Sequence, residues 1–96
     1  MQFDASKIKA VRRYLKDEFP NENVDDAYNS DRFAQDFRIG HGASSCLVTI
    51  SGEFLEDQRA DEIGNVLRRW QLAQALRTAG RSRVIVTTKG LTLESR

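Results

Sequence analysis

The chain has 96 residues, of which 40% are hydrophobic and 30% charged, and its net charge is +1 at pH 7. This composition excludes a disordered chain, and no apolar run is long enough to span a membrane, so we expect no membrane partner. A length of this order suits one domain over residues 1–96, with a core of its own. The single cysteine excludes an internal disulfide and favours a cytoplasmic location.

The first predicted element is a helix from Asp4 to Phe19, in which Asp4 or Ser6 caps the N-terminus. Its apolar residues form one narrow stripe that suits packing on a sheet, and they are Ile8, Val11, Leu15 and Phe19. Pro20 ends the helix. The polar residues 20–31 that follow predict an irregular connection between this helix and the first strand.

Two strands come next. Residues 32–39 alternate between apolar and polar side chains, with Gln35 as a polar member of the apolar side. Residues 45–51 form a second short apolar run. Because a glycine-rich turn containing His41 separates them, we expect an antiparallel hairpin.

The longest segment with a helical period runs from Asp57 to Gly80, and we expect one long helix there. One apolar face extends from Ile63 to Ala73 and includes Trp70. The second half carries another apolar face, roughly opposite the first, formed by Leu72, Ala75, Leu76 and Ala79. A helix with two apolar faces must be covered from two sides. One cover is the sheet, and the other is either the first helix or a second chain.

Two more strands follow, over residues 83–88 and 91–93, joined by a turn at Lys89 and Gly90. The pattern therefore predicts an α+β fold of order α-β-β-α-β-β. We expect two helices to pack on one face of a mostly antiparallel sheet of three to four strands.

No catalytic, cofactor-binding or metal-binding motif is present. Glycine-rich phosphate loops are absent. His41 and Cys46 are the only soft metal ligands, and two ligands do not make a zinc site. An enzyme using His41 or Cys46 requires a thiol of low pKa within hydrogen-bond reach of the imidazole, and we keep it only as the least favoured alternative.

Charge is unevenly distributed along the chain. Residues 63–96 contain seven basic side chains and one acidic side chain, a net charge of +6. Such asymmetry is a feature of proteins that bind anionic partners. Nucleic-acid binding is therefore an alternative hypothesis, and its candidate anion-binding residues are Arg77, Arg81, Arg83 and Lys89. The late strands carry no aromatic residue on which bases could stack.

The leading hypothesis is a protein-interaction module without catalytic activity that forms a homodimer or binds another protein. It depends on the second apolar face of the long helix, because unpartnered apolar surface marks interfaces. A two-fold symmetric contact would centre on Leu72, Ala75, Leu76 and Ala79.

Overall fold

The computed structural model of the chain describes residues 3–42, 45–80 and 82–94. None of the helices in these ranges is long and apolar enough to cross a lipid bilayer. The elements in chain order are α1 (Ala5–Glu18), β1 (Val24–Asn29), β2 (Ala34–Ile39), β3 (Cys46–Ser51), α2 (Gly52–Asp57), α3 (Ala60–Arg69), α4 (Leu72–Ala79), β4 (Arg83–Thr87) and β5 (Gly90–Glu94).

The five strands form one sheet whose spatial order, β1-β2-β3-β4-β5, is the order of the chain. Strands β3 and β4 are parallel, and the other neighbours are antiparallel. The three helices α2, α3 and α4 make the crossover that a parallel pair requires. The predicted α+β class is confirmed, whereas the sheet is mixed and has five strands instead of three to four.

The additional strand is β1, which lies in the segment predicted to be an irregular connection. Its acidic residues are poor strand formers, but tertiary contacts compensate. Asp26 forms a salt bridge with Arg12 of α1 and accepts a hydrogen bond from Gln35 Nε2 at 2.7 Å. Val24 is buried. The same contacts explain why Gln35 occupies a buried position on β2.

The segment predicted as one long helix contains two helices and the end of a third. Asp57 ends α2, and α3 begins after Arg59 without a side-chain cap. Helix α3 ends at Arg69, and α4 starts after Gln71, whose backbone is left-handed with φ 58° and ψ 45°. The break places the second apolar face entirely on α4, whereas most of the first face lies on α3.

The helices lie on one side of the sheet. Helix α1 packs on β1, β2 and α3, whereas α2 and α4 pack on β3 and β4. The buried cluster between them includes Leu15, Phe37, Val48, Phe54, Ile63, Leu67, Leu72, Leu76 and Val84. Among the described elements, no helix covers the other side, which we call the open face. Its central residues, by alternation along the strands, are Ala27, Arg38, Asp36, Leu47, Thr49, Arg83, Ile85, Thr92 and Glu94.

Candidate interaction surface

The apolar residues predicted to form an interface on the second helix lie in or beside the core of their own chain. Leu72 and Leu76 are 0% and 1% exposed, and Ala75 and Ala79 are half-buried against the same cluster. Strands β3 and β4 cover α4. Leu72 and Leu76 are therefore not accessible to a second chain, and the homodimer itself stays a prediction.

The candidate anion-binding residues are not gathered on one surface. Arg77 donates to the backbone oxygen of Glu18 at 3.0 Å and its guanidinium lies 4.9 Å from the centre of the Phe19 ring. Arg83 belongs to the open face, and Lys89 lies in the turn at the far end of β4. Arg81 lies outside the described residues. Nucleic-acid binding stays a prediction, because the three described candidates lie on different elements.

The two residues of the enzyme hypothesis occupy different environments. His41 is exposed in the turn after β2. Cys46 is half-buried on the helix side of the sheet, where its Sγ lies 3.8 Å from the backbone oxygen of Leu76. A thiol in this position packs as a small apolar side chain.

A hydrogen-bonded polar row crosses the open face and is formed by Asn29, Asp36 and Thr49 on three adjacent strands. Thr49 Oγ1 donates to Asp36 Oδ1 at 2.7 Å, and Asn29 Nδ2 donates to Asp36 Oδ2 at 3.0 Å. Thr49 is only 2% exposed, although no described helix lies above it. Both oxygens of Asp36 therefore already accept a hydrogen bond, and the row has a structural role.

An ion pair also joins distant parts of the open face. Arg32, in the turn between β1 and β2, donates to Glu94 Oε1 of β5 at 2.7 Å. Since β3 and β4 separate these elements in the sheet, the pair passes over the open face. The hydrogen bond from Arg32 lowers the pKa of Glu94, and the same bond raises the pKa of Arg32.

Among the described residues, no group of three or more His, Cys, Asp or Glu side chains is arranged to hold a metal ion.

The two edges of the sheet differ in how they are protected. At β1, the side chain of Arg12 donates from Nη1 to the backbone oxygen of Val24 at 2.7 Å and forms its salt bridge with Asp26. Asp25 adds a second negative charge in this strand. Charged side chains and occupied backbone groups are common devices that prevent another strand from pairing with an edge. The β1 edge is therefore protected at its Val24 end.

The β5 edge has no comparable protection from the described residues. A two-residue turn pairs Thr87 with Gly90, and alternation along the hairpin directs the backbone groups of Gly90, Thr92 and Glu94 toward β4. The N–H and C=O groups of Leu91 and Leu93 consequently point outward. Leu93 is 60% exposed, more than any other large apolar side chain in the described ranges. The sequence predicted this strand, but only the sheet order shows that it is an edge.

No protein-family model matches the chain, and comparisons with curated proteins and with solved structures found no match. The interpretation of the surface therefore depends on its own geometry.

Proposed function

We propose that this chain is a protein-interaction module without catalytic activity, located in the cytoplasm, that binds a partner polypeptide by strand addition at the β5 edge. The observation that carries the proposal is the unpaired outer side of β5, where the backbone groups of Leu91 and Leu93 point outward next to the exposed Leu93 side chain. In strand addition, backbone hydrogen bonds supply affinity and alternate side chains supply specificity.

The difference between the two edges supports this choice. A partner strand at β1 would have to displace Arg12 from the Val24 oxygen and approach two carboxylates. At β5 the central residues Leu91, Thr92 and Leu93 are uncharged, and Glu94 stands at the end of the strand. An added strand therefore gains hydrogen bonds at β5 without losing existing ones.

The proposal is tested with a synthetic peptide of sequence Lys-Gly-Leu-Thr-Leu-Glu, which copies residues 89–94. We expect the peptide to shift the amide NMR signals of Leu91 and Leu93 and to slow their hydrogen exchange. The amides of Asp26 and Tyr28, whose backbone groups face outward on β1, serve as the control and should stay unchanged.

Two variants of Leu93 separate the backbone from the side chain. Leu93→Pro removes an outward N–H, which an edge strand tolerates because that group does not bond to β4. Leu93→Ala keeps the N–H and removes most of the apolar contact. We expect the proline variant to lose peptide binding and the alanine variant to weaken it. Equal binding by native protein and Leu93→Pro would refute strand addition at this edge.

A further inference from the structure

We infer that the partner strand at the β5 edge is β5 of a second copy of this chain, antiparallel to the first and related to it by a two-fold axis at Thr92. This inference rests on the proposed function. To that proposal it adds the identity of the partner strand and the register in which the two β5 strands pair. In this register Leu91 of each copy faces Leu93 of the other, and Thr92 faces Thr92.

The backbone of β5 suits this register. The outward N–H and C=O groups belong to Leu91 and Leu93 only, within the described part of the strand. Pairing Leu91 with Leu93 of the second copy forms two hydrogen-bonded pairs, each of which exchanges two N–H···O bonds. All four outward groups of each copy are then satisfied. A shift by two residues in either direction would leave one leucine of each copy without a leucine partner.

The side chains of β5 also suit this register. Leu91 and Leu93 both project to the helix side of the sheet, where Leu91 is half-buried against the core and Leu93 is 60% exposed. Each exposed Leu93 would lie beside the partly buried Leu91 of the other copy, so the contact would remove apolar surface from water. Thr92 would meet Thr92 on the open face, a favourable cross-strand pair.

Charges at the ends of the strand are complementary. Lys89 precedes β5 and is exposed, and Glu94 ends it. The two-fold axis places Glu94 opposite Gly90 of the second copy, and therefore next to its Lys89. Glu94 already accepts from Arg32 through Oε1. Because a carboxylate has two acceptor oxygens, it can bind a second cation without losing the first.

The helices leave room for the second copy. Three strand spacings, about 14 Å, would separate the two β4 strands, and a helix with its side chains is about 10 Å wide. The α4 helices can then lie side by side. The resulting dimer has one continuous sheet of ten strands, with all helices on one side and the two open faces joined on the other.

Cross-linking tests the register in the full chain. The variant Thr92→Cys is made in a Cys46→Ala background, so that the introduced thiol is the only one. In an antiparallel sheet, residues that face each other in a pair without hydrogen bonds have Cα atoms about 4.5 Å apart, which is within the range of a disulfide. Mild oxidation should therefore convert the Thr92→Cys protein to a covalent dimer. The control is Ala27→Cys in the same background, an exposed open-face residue of the β1 edge, which should stay monomeric.

Light scattering on the native chain and on Leu93→Lys accompanies the cross-linking. We expect a native mass of two chains at high concentration and one chain for Leu93→Lys, with unchanged circular dichroism. A native dimer whose Thr92→Cys variant cross-links no faster than Ala27→Cys would overturn the inference. A native chain that is monomeric at every concentration would overturn it too. In both cases binding of the peptide would still show that β5 accepts a strand, so the inference of a second copy can fail while the proposed function stands.

Discussion

The hydroxyl of Tyr14 accepts a hydrogen bond from the backbone N–H of Ala73 at 2.9 Å, across 59 residues of sequence. Tyr14 is 3% exposed and lies on α1, whereas Ala73 lies in the first turn of α4. The first N–H groups of a helix lack partners within the helix, and the residue before α4, Gln71, provides no side-chain cap. Tyr14, which lies on α1, therefore acts as the N-terminal cap of α4.

Substituting Tyr14 by Phe should destabilise the chain, because it leaves the buried N–H of Ala73 without an acceptor. Leaving a buried donor unsatisfied costs about 1 to 3 kcal/mol. Urea unfolding of native protein and Tyr14→Phe measures the loss. Tyr28→Phe is the matched control, since the hydroxyl of Tyr28 makes no hydrogen bond within the described residues, and its unfolding free energy should change little. Equal losses in the two variants would exclude the capping role of Tyr14.

Stability should also decrease in alkaline solution because of Tyr14. Burial raises the pKa of this phenol, and the hydrogen bond from Ala73 opposes the shift only in part. The folded state therefore holds the proton more tightly than the unfolded state. The resulting stabilisation is complete below the unfolded pKa of about 10 and disappears as the pH rises through the higher folded pKa. The difference in unfolding free energy between native protein and Tyr14→Phe should accordingly become smaller above about pH 10. A constant difference across this range would contradict the expectation.

The same substitution at two glycines should have opposite effects. A Cβ at Gly52 would overlap the ring of Phe33 and approach Phe3 Cε1 at 2.8 Å, whereas a Cβ at Gly64 meets no atom within 4 Å outside its own helix. Gly52→Ala should therefore destabilise by about 1 to 3 kcal/mol, the usual cost of overpacking. Gly64→Ala should stabilise by up to about 1 kcal/mol, because alanine is the better helix former. Thermal unfolding of both variants measures the two signs, and a loss of stability in Gly64→Ala would show that this position is constrained.

Leu76 should behave as a core residue and not as an interface residue. Its side chain is 1% exposed within one chain, so Leu76→Ala should lower the unfolding free energy by about 2 to 5 kcal/mol. Gln74→Ala, on the exposed side of the same helix, is the control and should be nearly neutral. Mass measured by light scattering should be the same for native protein and for folded Leu76→Ala. A variant that stays stable but loses association would place Leu76 at an interface after all.

Local patterns in the sequence are sufficient to predict α1, β2, β3 and the final hairpin. Asp4 does cap α1, through a hydrogen bond from the N–H of Ser6 at 3.0 Å. The strand β1 was missed because its stability is not local. Arg12 of α1 bonds to the Val24 oxygen and to Asp26, and Gln35 of β2 donates to Asp26, so the strand is stabilised by residues of other elements.

Hydrophobic periodicity also cannot predict the break at Gln71. No glycine or proline marks the position, and glutamine rarely adopts a left-handed backbone. Tertiary contacts on both sides stabilise it. Trp70 packs against Phe54 with ring centres 5.6 Å apart, and Tyr14 holds Ala73. A continuous helix would leave Leu72 and Leu76 on a second apolar face, and this is why periodicity alone predicts an interface there. The exposed edge at β5 follows from the order of the strands in the sheet, which periodicity does not contain.

The parallel contact between β3 and β4 divides the sheet into two parts that differ in how they can fold. Strands β1, β2 and β3 pair with their neighbours in sequence, and so do β4 and β5, but the β3–β4 contact requires the three intervening helices to be in place. Contacts between residues distant in sequence slow folding, because the loop must close before they form. The β4–β5 hairpin should therefore join the sheet in the last step of folding. Until then β3 and β4 each present a temporary unpaired edge, and an intermediate of this kind is the form in which the chain is most exposed to aggregation.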